Sequence, residues 1–161
     1  MEKIEFVNKK KPALNATNLN KMQENVENAI NSIKEVNSST KEINTSASIN
    51  TNQNFLRIYE NYDTVTHTTK TGKVKITACG PIRQTTDGNY DAILRCKIDD
   101  NDLTSPIART NIAGWHYLAG QIEVEVPIGT HTYTLGIASS DTNYYAYTRV
   151  YSLYTLTVED V

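Results

Sequence analysis

From residue 54 onward the apolar side chains recur at every second position, and that period suits only extended strands with one buried face. In Gln121-Ile122-Glu123-Val124-Glu125-Val126 the even positions are apolar and the odd ones polar or charged. After Pro127-Ile128-Gly129-Thr130 the alternation resumes in Tyr133, Leu135 and Ile137. Two alternating runs around a short Pro/Gly turn predict a β-hairpin. Lys73 to Ala78 and Tyr90 to Ile98 predict two more strands, the second entered through Asp87-Gly88-Asn89. Asn143 to Tyr151 and Leu153 to Val158 supply the last long strand or pair. With no helical pattern among them, these strands predict an antiparallel β-sandwich or jelly roll. A head of about 108 residues can bury its own core.

Residues 1–53 follow a different period. Leu19, Val26 and Ile33 are seven apart, and so are Met22, Ala29, Val36 and Ile43. The two series alternate three and four apart, which is the a/d seam of a coiled coil. Ile30 broadens the apolar face, a pattern that suits three strands better than two. The seam continues through Thr40 and Ala47 to Asn50, weakening as it goes, and Asn15 is placed as the N-cap. Eleven of the seventeen residues from 37 to 53 are Asn, Ser or Thr. Their side chains compete for helix hydrogen bonds, so a fraying helix or extended linker is expected there. This half has no glycine and no tyrosine, whereas all seven glycines, all ten tyrosines and Trp115 lie beyond it. The expected division is a coiled-coil stalk and linker at 1–53 and a β-sandwich head at 54–161. A single amphipathic helix packed on the head is the alternative use of the same stripe.

The formal net charge is −2, and the longest basic run is Lys9-Lys10-Lys11. The positive patch of a nucleic-acid binder is missing. No apolar stretch reaches the ~18–20 residues of a membrane span, and the N-terminus lacks the pattern of a signal peptide. Synthesis in a cytosol without membrane insertion is expected.

The search for catalytic chemistry returns no phosphate loop, no zinc spacing and no paired acid and base. His67, His116 and His131 are scattered, and His131 follows the turn at 127–130 in a structural place. Asp99-Asp100-Asn101-Asp102 lacks the spacing of a calcium loop and reads as a solvated turn. No catalytic residue, metal or cofactor is expected. The phase of Val74, Ile76 and Ala78 points Cys79 outward, while Cys96 shares the inward phase of Ala92, Leu94 and Ile98. Side chains on opposite faces do not pair, so two free thiols are expected.

The binding candidates are aromatic. Tyr145, Tyr147, Arg149 and Tyr151 share one strand parity, with Tyr144, Ala146, Thr148 and Val150, on the whole smaller and more apolar, on the other. The first set presents three phenol rings and a guanidinium, surfaces that stack on sugar rings and bond their hydroxyls. Such a row can equally line a threefold axis, where aromatic and Arg side chains are also enriched. Trp115 and Tyr117, after Gly114, form a second candidate group, either a loop-borne ligand contact or a strand start that packs Trp115 inward.

Both ends of the chain carry a resemblance. Lys11-Pro12-Ala13-Leu14-Asn15-Ala16-Thr17-Asn18-Leu19-Asn20 is similar to the opening of many phage structural proteins, with one alanine inserted between Pro12 and Leu14. Gly129-Thr130-His131-Thr132-Tyr133-Thr134-Leu135 and the closing Leu156-Thr157-Val158 resemble small jelly-roll heads of phage tail, baseplate and fibre proteins. Those heads are of the trimeric complement and tumour-necrosis-factor type. The resemblance implies a homotrimeric virion protein that meets other virion proteins through its N-terminal segment and displays its head for attachment to host-surface saccharide. A purely architectural head-fibre or connector module is the alternative, and a polysaccharide-degrading tail enzyme ranks last.

Overall fold

The computed structural model describes residues 16–31, 36–43, 48–49, 56–57, 64–85, 87–88, 90–102, 105–141, 146–149 and 151–161. The chain divides into two units, Met1–Lys34 and Glu35–Val161. In the first, helix α1 spans Ala16–Asn31, starting directly after the expected cap. Leu19, Met22, Val26 and Ile30 lie along it at helical spacing with about half of each side chain exposed, and Ala29 is exposed too. Ile33 lies outside the described residues.

Val36 and Ile43 differ from the seam reading, because they are the two ends of strand β1 (Val36–Ile43) in the second unit. The composition of this stretch explains the change. β-Branched Val36, Thr40 and Ile43 favour extended backbone, and the intervening Asn and Ser residues are poor helix formers. Eight consecutive residues pair antiparallel with the C-terminal strand, from Val36 opposite Glu159 to Ile43 opposite Ser152.

The second unit is mainly β, with antiparallel sheets. The remaining strands are β2 (Ser48–Ile49), β3 (Leu56–Arg57), β4 (Thr64–Thr69), β5 (Lys73–Gln84), β6 (Ala92–Ile98), β7 (Asn101–Asp102), β8 (Ala108–Thr110), β9 (Gly114–Glu125), β10 (Gly129–Ser139), β11 (Ala146–Thr148) and β12 (Ser152–Asp160). One sheet runs β1–β12–β5–β9, with β11 and then β2 continuing beside β5 beyond β12. The other runs β4–β10–β6–β8, with β3 beside β10 and β7 beside β6.

Both sheets bury their alternating side chains in one core. Val74, Ile76, Ala78 and Ile82 come from β5, Leu156 and Val158 from β12, and Ala92, Leu94 and Cys96 from β6. Tyr133, Leu135 and Ile137 come from β10. Cys96 is buried, Cys79 is partly exposed, and both are free thiols.

The expected hairpin at 121–137 is not formed. β9 pairs with β5, while β10 pairs with β4, β3 and β6 in the other sheet. The end of β9 is fastened instead to the β4–β5 turn, where the Val126 amide donates to the Gly72 carbonyl at 3.0 Å. Alternation and a Pro/Gly turn specify strand, turn and strand, but not whether both strands join the same sheet.

A bulge interrupts the edge of β5. Thr148 faces Ile82 and Thr155 faces Cys79, so two partners seven apart in the chain flank only Gly80 and Pro81. Proline deep in a strand removes a ladder donor and is usual only at edges or bulges. Here the Tyr154 hydroxyl fills the gap, donating to the Pro81 carbonyl and accepting from the Arg149 amide. Burial pushes that phenol up to about 12, so it keeps its proton at any ordinary pH. The ring lies over Gly80, where an added Cβ would fall inside it.

Two outcomes follow in solution. Tyr154→Phe leaves a buried carbonyl and an amide unpaired and should cost about 1–3 kcal/mol in urea unfolding. Gly80→Ala, which must displace the ring, should cost at least as much; wild-type stability in both variants would show that the bulge is held otherwise. A thiol reagent should modify one cysteine per native chain, Cys79, and two after unfolding.

Candidate functional site

The outward face of β5 carries the odd-numbered side chains of Lys73, Lys75, Thr77, Cys79 and Arg83, with Pro81 buried at the bulge, since its even positions fill the core. Register across the sheet then decides what stands beside each. Tyr147 of β11 is opposite Arg83, and Arg83 is opposite Trp115 of β9. The three form a row across adjacent strands, with Tyr147 and Trp115 two strand spacings, or roughly 10 Å, apart. Tyr117 occupies the next outward position of β9, opposite Pro81. Arg149 leans back across the row, its Cζ 5.8 Å from the centre of the Trp115 ring, within cation–π range.

The two aromatic groups that the sequence keeps apart are therefore one cluster. Trp115 is 42 % exposed, Tyr117 65 % and Tyr151 74 %; Arg83 and Arg149 are exposed and Tyr147 is half-buried. Ala146 and Thr148, the opposite parity, are fully buried. Tyr151 sits in the bulge with a φ of 52°, and there the strand parity breaks. Tyr145 lies outside the described residues. Arg83 was not singled out by the sequence reading: its parity was legible, but its neighbours depend on register.

Below this cluster the face turns polar and then charged. The Cys79 thiol lies 3.2 Å from the Tyr117 hydroxyl and 2.7 Å from the Thr155 hydroxyl. That contact with Cys79, followed by burial, raises the Tyr117 phenol above its ordinary value. At the far end Lys73 pairs with Glu123 and Lys75 with Glu159.

The three histidines are separate. His67, fully buried on β4, donates from Nε2 to Asp160 of β12 at 3.0 Å, joining the two sheets. Burial raises the Asp160 carboxyl, but hydrogen bonds from the Lys70 amide, Thr69 and His67 outweigh it and hold the group below its ordinary value. His116 bonds the Ala113 carbonyl at 3.2 Å. His131 meets Asp99 through Nδ1 at 2.5 Å and the Pro127 carbonyl through Nε2 at 2.8 Å. Both partners are acceptors, so both ring nitrogens donate and the imidazolium is favoured. The bond to Asp99, then that to Pro127, raises His131. The Thr132 amide, then His131, lowers Asp99. Asp99 and Asp100 both have positive φ, and their run is the tight turn between β6 and β7. Among the described residues no group of three His, Cys, Asp or Glu side chains is placed to hold a metal ion.

No family model matches the chain, and no curated protein matches it.

The His131–Asp99 contact makes stability depend on pH. Folding raises His131, so its contribution is complete below about 6.5 and is lost as pH rises through the folded value. Folding lowers Asp99, so its contribution is complete above about 3.8 and fades as pH falls through the folded value. The thermal midpoint should be highest between these values. His131→Gln should flatten the fall on the alkaline side; an unchanged alkaline limb would show that the pair contributes nothing.

Proposed function

We propose that the chain is a homotrimeric virion appendage protein of phage type whose β head attaches the particle to a host-surface saccharide. The observation that carries this reading is the exposed cluster of Trp115, Tyr117, Tyr147 and Arg149 on one sheet face. Aromatic rings with two rotatable bonds lose little entropy on stacking against a flat sugar face. Each site alone is weak. Three sites on one particle raise avidity by roughly 10² or more when all can engage together.

Two further features support the reading. The strand orders β1–β12–β5–β9 and β4–β10–β6–β8, with the chain crossing between sheets at most connections, fit a jelly roll of the type that the two ends of the sequence resemble. The uncovered stripe of Leu19, Met22, Val26 and Ile30 on α1 fits a helix that finds its partners in other copies of the chain.

A second reading uses the same face differently. Leu153, 55 % exposed, adds apolar surface to the same sheet on β12, as a threefold contact between heads would require. The two readings separate by experiment. Sedimentation at micromolar concentration should give about three times 18.0 kDa. Trp115→Ala in the full chain should weaken saccharide binding by at least about tenfold while leaving that mass unchanged. A trimer that dissociates on this substitution assigns the cluster to the threefold contact, and a monomeric wild-type chain refutes both readings.

A further inference from the structure

The charges around the aromatic cluster are unevenly matched. At the far end of the same face every lysine has a carboxylate partner, Glu123 for Lys73 and Glu159 for Lys75. At the aromatic end Arg83 and Arg149 have none among the described residues. The nearby Asp87 directs its carboxylate to the Ala113 amide at 2.6 Å. On a chain whose net charge is −2, two unmatched guanidiniums therefore stand among three exposed or half-exposed rings. Arg83 lies between Tyr147 and Trp115 in the cross-strand row, and Arg149 is held against the Trp115 ring.

From this arrangement we infer that the ligand of the cluster is an anionic saccharide chain, one whose repeating units carry carboxylate or phosphate groups. The inference rests on the attachment reading and names its ligand class. Trp115 and Tyr147 offer stacking surfaces about 10 Å apart, two strand spacings. Arg83, between them in the row, carries a guanidinium whose paired N–H donors form a planar fork that matches carboxylate and phosphate oxygens. Arg149 supplies a second fork on the Trp115 side. A neutral sugar would stack on the rings but leave both forks without an acid, while a small anion would engage one fork and leave the rings uncovered. A polymer that alternates sugar faces with acidic groups meets both.

The test uses the full chain and three immobilised polymers: polygalacturonate, poly(glycerol phosphate) and neutral dextran. Binding to one or both anionic chains should exceed binding to dextran by at least about tenfold, and a preference between the two identifies the acid. Arg83→Gln and Arg149→Gln should each reduce anionic binding by about tenfold, with dextran binding and molar mass unchanged. Equal binding of neutral and anionic chains, unaffected by either substitution, overturns the ligand class and leaves the attachment reading standing. A fall in molar mass with either substitution places the face between copies of the chain and overturns the inference. Failure of all three polymers to bind overturns the inference together with the reading on which it rests.

Discussion

The rest of the β unit depends on β5. It is twelve residues long and paired along both edges, with β9 on one side and β12 followed by β11 on the other. A strand held in this way has no freedom to rotate, so its alternation is strict. Val74, Ile76, Ala78 and Ile82 fill the core and Cys79 and Arg83 face outward, while Pro81, at the bulge, is itself buried. The single irregularity is at Gly80-Pro81, where proline withholds a donor and the partner strand bulges to let Tyr154 cap the open carbonyl. That bulge has consequences well beyond its own hydrogen bonds. It sets the offset at which β11 meets β5 beside Ile82, and hence brings Tyr147 opposite Arg83. The exposed row is thus a product of the same accommodation that makes a proline tolerable inside the sheet.

Electrostatics are arranged around this frame in two ways. Within the core the ionisable contact between sheets, His67 with Asp160, is well supplied with hydrogen bonds, as buried polar groups must be. On the surface the lysines are matched with glutamates at one end, while at the other Arg149 lies over the Trp115 ring. Arginine is suited to that place, because its weakly hydrated planar group stacks on a ring and still offers donors along its edge. The His131–Asp99 contact belongs to neither group. It ties the β6–β7 turn to the connection after β9, at a point where the chain passes between sheets.

The exposed residues of α1 pose a different problem. Leu19, Met22, Val26 and Ile30 recur at helical spacing and are about half exposed in the single chain. Isolated helices of this length are marginal in water without a packed face. Burial of such a stripe supplies what propensity does not, and the neutral residues beside it set no charge preference for the partner.

Much was legible in the sequence, for reasons tied to particular residues. Period-two alternation identified the strands around Val74, Leu94, Val124, Leu135 and Leu156, because the face a side chain takes is a local property of extended backbone. The same parity placed Cys79 outward and Cys96 inward, and buried Ala146 and Thr148 beneath Tyr147. What remained hidden is non-local. The seven-residue spacing continued through Val36 and Ile43, but those residues gain a strand partner in β12, and contacts that far away along the chain do not register in a local period. The turn at 127–130 was visible, yet whether β9 and β10 share a sheet depends on how the two sheets stack. Parity showed that Tyr147 alternates with core residues, but left Trp115 open between a loop contact and an inward-packed strand start. Only register across β5, set by the bulge at Tyr154, brings them to either side of Arg83, because pairing between distant strands is fixed by the packing of the whole unit.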